Sequence, residues 1–138
     1  MTADFHDATE RHRVDADALF NNQRFANADH LFGLAAECAL KAVMKGLGMQ
    51  IKPDGSPSTQ SHRVHVNKLW NEYISFANNR NGVKYVVGMD SNNPFSNWDV
   101  NQRYEHHSRF TDSCVDEHRK ATEIIMSRWI EAFLDGVL

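Results

Sequence analysis

RFANADHLFGLAAECALKAVMKGL, residues 24–47, is the stretch on which the fold turns. Ala28, Leu31, Leu34, Ala35, Cys38 and Ala42 recur at i, i+3, i+4 and i+7, and Phe32, Ala36, Ala39, Val43 and Leu47 line the adjoining arc. The spacing predicts a helix that is apolar almost all round, and a helix of that kind belongs in the middle of a bundle. Its polar stripe is thin: His30, Gly33, Glu37, Lys41 and Lys45. Glu37 and Lys41 stand in the favourable acid-first i, i+4 order. The simpler expectation is that they belong to a solvent stripe. The alternative is a buried polar pair facing a cleft or a second copy, because a buried charge must be paired.

Outward from this helix, Gly46 and Gly48 stop it, and KPDGSPSTQ (52–60) reads as a loop. Upstream, residues 7–23 read as a polar amphipathic helix with Val14, Ala18 and Phe25 on one face. Downstream, Ser61 is placed to cap a third helix through Ala77, with Val66, Leu69, Trp70, Tyr73, Ile74 and Ala77 on its apolar face. The β-branched run VKYVVGM (83–89) reads as an extended segment or a lone strand, and DSNNPFSN (90–97) as turns. A short helix is expected from Asp99 to about His107. Thr111 or Asp112 caps the last helix, whose apolar face is read as Ala121, Ile124, Ile125, Trp129, Ile130, Phe133 and Leu134. The expected class is an all-α, up-and-down bundle of four main helices in a single domain, residues 1–138, with a long crossing over 78–110. Crossings of that length in a compact domain usually carry function, and Tyr85, Phe95, Trp98 and Tyr104 argue that this one is ordered.

Composition narrows the function classes. Hydrophobic content of 41% against 24% charged residues excludes a disordered chain. A net charge of −3 and a pI near 6.2 give no global footprint for nucleic acid, so any phosphate binding must be local. Cys38 and Cys114 form no CxxC pair and are expected to be buried thiols in a reducing compartment. The stretch MTADFHDATERHRVDADALF lacks the apolar run of a secretory signal, and no segment reaches membrane-spanning length. The chain is accordingly expected to be cytoplasmic, without a membrane partner. Gly-rich phosphate loops, GxSxG, HExxH and zinc-ligand quartets are all missing, so no cofactor and no metal are expected.

Candidate chemistry concentrates in SNWDVNQRYEHHSRF (96–110). Were 99–107 helical, Asp99, Arg103 and His107 would share a face at i, i+4 and i+8, with His106 beside them. An arginine to stabilise charge on a phosphorane and a histidine to move a proton suit phosphodiester chemistry. The plainer reading is an Asp99–Arg103 ion pair, with Tyr104 and Trp98 packed on the bundle and both histidines in water. His62 and His65, three residues apart, would open the third helix and permit a shared metal or a phosphate there; exposed histidines are the bland alternative. Trp70, Trp98 and Trp129 are read as core or interface rather than base-stacking platforms.

DADALFNNQRFANADHLFGLAAECALKAVMKG (15–46), SHRVHVNKLWNEY (61–73) and WDVNQRY (98–104) together resemble bacterial HEPN-like (higher eukaryotes and prokaryotes nucleotide-binding) proteins, over roughly residues 10–135. The resemblance implies a helical bundle that pairs as a homodimer, an association with toxin–antitoxin or defence modules, and in many members ribonuclease activity. Nuclease members carry an arginine and a histidine separated by four to six residues late in the bundle. Here three residues separate Arg103 from His107 and two separate it from His106, while Arg24 and His30, with five between them, lie at the start of the second helix. The expectation is an intracellular protein that binds RNA, a nucleotide or an antitoxin-type partner through Asp99, Tyr104, Trp98, Glu37, Lys41, His62 and His65. The alternatives are a divergent metal-independent ribonuclease using Arg103 with His107 or His106, and a structural oligomerisation module.

Overall fold

The computed structural model describes residues 1–138. It is all-helical, with four main helices: α1 (Phe5–Asn21), α2 (Phe25–Gly46), α3 (Val66–Asn78) and α4 (Asp112–Leu134). The only β pairing is one isolated bridge, Ile51 with Pro57. α2 occupies the centre and packs against all three other helices, as its near-continuous apolarity requires. The link from α1 to α2 is so short that the two form a helical hairpin, with Gln23 in the left-handed region at φ 60°.

Capping explains the helix starts. Asp4 Oδ1 accepts the Asp7 N–H at 3.0 Å to open α1, and the Thr111 hydroxyl accepts the Cys114 N–H at 3.4 Å to open α4. α3 departs from the expected boundary: residues Gln60–His62 form a 3-10 turn and the helix begins at Val66, so Ser61 is not its cap and His65 stands in that position. The run 83–89 is neither extended nor a strand. Val83–Val86 is a 3-10 turn, because a lone β-branched segment has no neighbour to pair with, whereas the Tyr73 hydroxyl can donate to the Tyr85 carbonyl at 2.6 Å and hold it against α3.

Two apolar faces also differ from expectation, that of α4 in part, since Ala121, Ile125 and Trp129 are buried as expected. On α1, Val14 and Ala18 are exposed, and Thr9 and Ala16 are the buried residues. On α4 the buried stripe is Val115, His118, Ala121, Thr122, Ile125, Met126, Trp129 and Ala132, while Ile124, Ile130, Phe133 and Leu134 reach solvent. The three tryptophans are core residues. Cys38 is largely covered and its thiol is pushed up to about 12, chiefly by burial and then by the Glu37 charge, but Cys114 is exposed, contrary to expectation.

The crossing is ordered by buried anchors: Phe95, Trp98, Gln102 and Phe110 are all inside. Trp98 lies in a notch opened by Gly33 of α2, where a Cβ would overlap the indole ring, and its Nε1 donates to the Asp29 carbonyl at 3.0 Å. Around it runs a buried polar network. Asp29 takes His118 Nδ1 on one oxygen at 2.6 Å and Gln102 Nε2 on the other at 2.5 Å, and His118 Nε2 meets Asn97 Oδ1 at 2.7 Å. These contacts join α2, α4 and the crossing, and fix everything that the crossing carries outward.

Candidate functional site

The expected helix over 99–107 does not form. Val100–Tyr104 is one 3-10 turn and His107–Arg109 another, with an extended break at Glu105 and His106. Each turn has its own cap, on either side of the extended Glu105–His106. The Asp99 side chain accepts the Asn101 N–H at 2.7 Å, and Gln102 Oε1 accepts the Asp99 N–H at 3.1 Å, so Asp99 starts a turn and makes no ion pair with Arg103. His106 in turn caps the second turn, its Nδ1 accepting the Ser108 N–H at 3.2 Å.

With the face broken, the candidates separate. Arg103 and His107 line one groove of about 460 Å³, together with Phe110; His106 is not among its lining residues, its ring tilted by 32° against that of His107 at 4.4 Å. The opposite wall is the first turn of α2: Arg24, Phe25, Ala26 and Asn27. Arg24 is the N-terminal cap residue and offers no side-chain cap, so the N–H groups of Phe25, Ala26 and Asn27 have no protein acceptor. A helix of 22 residues thus ends here with its positive pole and free donors beside two guanidinium groups. Neither Arg24 nor Arg103 has an acidic partner, and the one acid in the groove, Glu105, is taken by Arg109 at 2.9 Å. Tyr104 is 76% exposed and lies beneath the Arg103 guanidinium, 5.0 Å from ring to Cζ.

A second cluster sits further along α2. Glu37 and Lys41 are 8% and 7% exposed, so they are a buried pair and not a solvent stripe. Glu37 Oε2 accepts from Lys41 Nζ at 3.1 Å and Oε1 meets His65 Nδ1 at 2.8 Å. Burial pushes the Glu37 carboxyl up, but the His65 hydrogen bond and the Lys41 charge outweigh it and leave the group below its ordinary value. His65 is raised by the same hydrogen bond, against the effect of partial burial. His30 and His65 both approach Trp98, at 5.9 and 6.3 Å between ring centroids. His30 is lowered by burial and then by the Arg103 charge. His62 is apart from His65, edge-on to Phe76 at 5.3 Å, and no group of three metal-ligating side chains occurs anywhere in the chain.

Sequence reasoning missed Arg24 as a partner of Arg103, because their proximity depends on how the crossing returns over the α1–α2 turn. It also missed Asp29 and His118; an acid without an i+4 base in so apolar a helix was the available signal for Asp29. No protein-family model, curated protein or solved structure matches the chain significantly.

Proposed function

We propose that the groove between the start of α2 and the crossing binds a phosphate group of RNA or of a nucleotide. The supporting observation is the convergence of Arg24, Arg103 and His107 with the unpaired N–H groups of Phe25, Ala26 and Asn27, without a free carboxylate among them. The chain as a whole is acidic, so phosphate binding has to rely on a local group of cations such as this one. Phe25 and Phe110 in the walls offer apolar surface beside the charge, suited to a base or ribose next to the phosphate. The HEPN-like resemblance of residues 15–46 points to the same ligand class and adds a homodimer and an antitoxin-type partner as further proposals.

Fluorescence anisotropy with a short labelled single-stranded RNA tests the reading. Arg24→Ala and Arg103→Ala should each weaken binding about tenfold, in line with loss of one charge-assisted contact of 1.5 kcal/mol or so. Equal affinity in the wild type and both variants would contradict it.

A further inference from the structure

Like charges gather in the groove with no acid to offset them. Arg24, at the turn between α1 and α2, and Arg103, on the crossing, come from segments far apart in sequence yet line the same cavity. The chain holds 18 acidic side chains against 15 basic ones, but neither guanidinium is paired with any of them. Glu105, the one acid in the lining, is held by Arg109 at 2.9 Å. The first turn of α2 adds its positive pole and the free N–H groups of Phe25, Ala26 and Asn27. A helix start alone does not define a ligand. Two unpaired guanidinium groups beside it leave a repulsion that a bound anion relieves.

The amount of charge narrows the kind of anion. Two guanidinium groups and the helix pole together present about +2.5 elementary charges. A phosphodiester within a strand brings about one negative charge and has only its two non-bridging oxygens free. A phosphomonoester brings about −1.5 to −2 near pH 7 and three strong acceptor oxygens. The monoester is the closer match on both counts, since three N–H groups and two forked guanidinium groups offer more donors than two oxygens take up.

Space points the same way. At about 460 Å³ the groove lies low in the range of small-ligand pockets, about 300–1,000 Å³, and has room for about one nucleotide. A strand therefore fits by its end more readily than by its middle. Arg103 is set for such a contact: its guanidinium lies over the Tyr104 ring at 5.0 Å, which leaves the N–H edge open to an oxygen.

We propose that the groove selects a phosphomonoester, as at the phosphorylated end of an RNA strand or on a free nucleotide, over the phosphodiesters inside a strand. The proposal rests on the reading of the groove as a phosphate site and adds which phosphate it takes. Phe25 and Phe110 then flank the sugar and base that carry the monoester.

The test uses the full chain and internally labelled single strands of one sequence, ending in a 5′-phosphate, in a 3′-phosphate or in hydroxyls only, read by anisotropy. A further hydroxyl-ended strand, longer by two nucleotides, carries about the same total charge as the phosphorylated ones and separates selection from bulk attraction. A phosphorylated strand should bind at least about tenfold more tightly than either hydroxyl-ended one, and the end that confers the gain is the end recognised. Adenosine monophosphate should compete at least about tenfold more strongly than its methyl ester, a diester; that gain without a gain for either strand end assigns the free nucleotide. Arg24→Ala and Arg103→Ala, both at exposed positions, should each reduce the preference to about threefold or less. Equal affinity for monoesters and diesters, weakened in both arginine variants, overturns the inference and leaves the groove reading standing. A preference that both variants keep also overturns it, since the monoester is then held elsewhere; no binding of any strand or nucleotide overturns both readings.

Discussion

A single missing Cβ sets the position of the crossing. Gly33 opens the notch for Trp98, and a methyl group there overlaps the indole ring. Gly33→Ala should therefore destabilise the protein by about 1–3 kcal/mol through overpacking, although alanine favours helix in isolation. Urea denaturation measures the loss, and a red shift of tryptophan emission should accompany it as Trp98 leaves its seat. At Glu37 and His65 the sign of the pH effect follows from the shifts. His65 is raised above 6.5 in the fold, so its contribution to stability is complete below pH 6.5 and fades as pH rises through its folded value. Glu37 is lowered below 4.5, so its contribution is present above pH 4.5 and fades as pH falls through its folded value. The pair therefore contributes most between about pH 4.5 and 6.5. The gap in melting temperature between wild type and His65→Gln should be widest in that window and narrow towards pH 8; a gap independent of pH would show that the ring is not held by the carboxylate.

Elements differ in how much of them the sequence reveals. α2 was legible because almost every position around it is apolar, and no tertiary contact could turn such a segment outward. The crossing was only partly legible. Its aromatic anchors were visible as residues that needed a core, but its backbone is set by Asp29, 69 to 89 residues away from the groups it holds. Asp99 and Gln102 have the spacing of a capping box, in keeping with the expected start at 99, whereas the break at Glu105 and His106 has no such local signal. The face of α4 was legible in part: Ala121, Ile125 and Trp129 are buried as expected, while His118, Thr122 and Ala132 complete the stripe in place of the bulkier Ile124, Ile130, Phe133 and Leu134. Asp29 links three elements, so Asp29→Ala should cost about 3–5 kcal/mol, the range for breaking a buried charged contact by removing one partner. Hydrogen exchange should then rise first at residues 97–104, before α2 itself opens; uniform exchange across the chain would mean that the network does not hold the crossing separately.

At the scale of the whole molecule, the chain is acidic and the groove offers two arginines to a strand, and this limits how RNA can be held there. With two or three phosphates contacted, the slope of log affinity against log salt should be shallow, about −1.4 to −2.1 for a single strand, and each arginine variant should reduce its magnitude by about 0.7. A steeper slope would mean that the strand contacts more phosphate-binding cations than this groove holds. The exposed apolar residues Ile130, Phe133 and Leu134 on α4 lie away from the groove-lining segments and are the natural place for the proposed homodimer contact. The central claim is that phosphate is held where α2 begins, and titration of the isotope-labelled protein with a short RNA, followed by amide NMR shifts, tests it most directly. The account predicts that the largest perturbations fall on Phe25, Ala26 and Asn27 and on residues 102–110, and that Arg24→Ala raises the RNA concentration needed to reach them about tenfold. Saturable shifts confined to another face, or none at millimolar RNA, would contradict it.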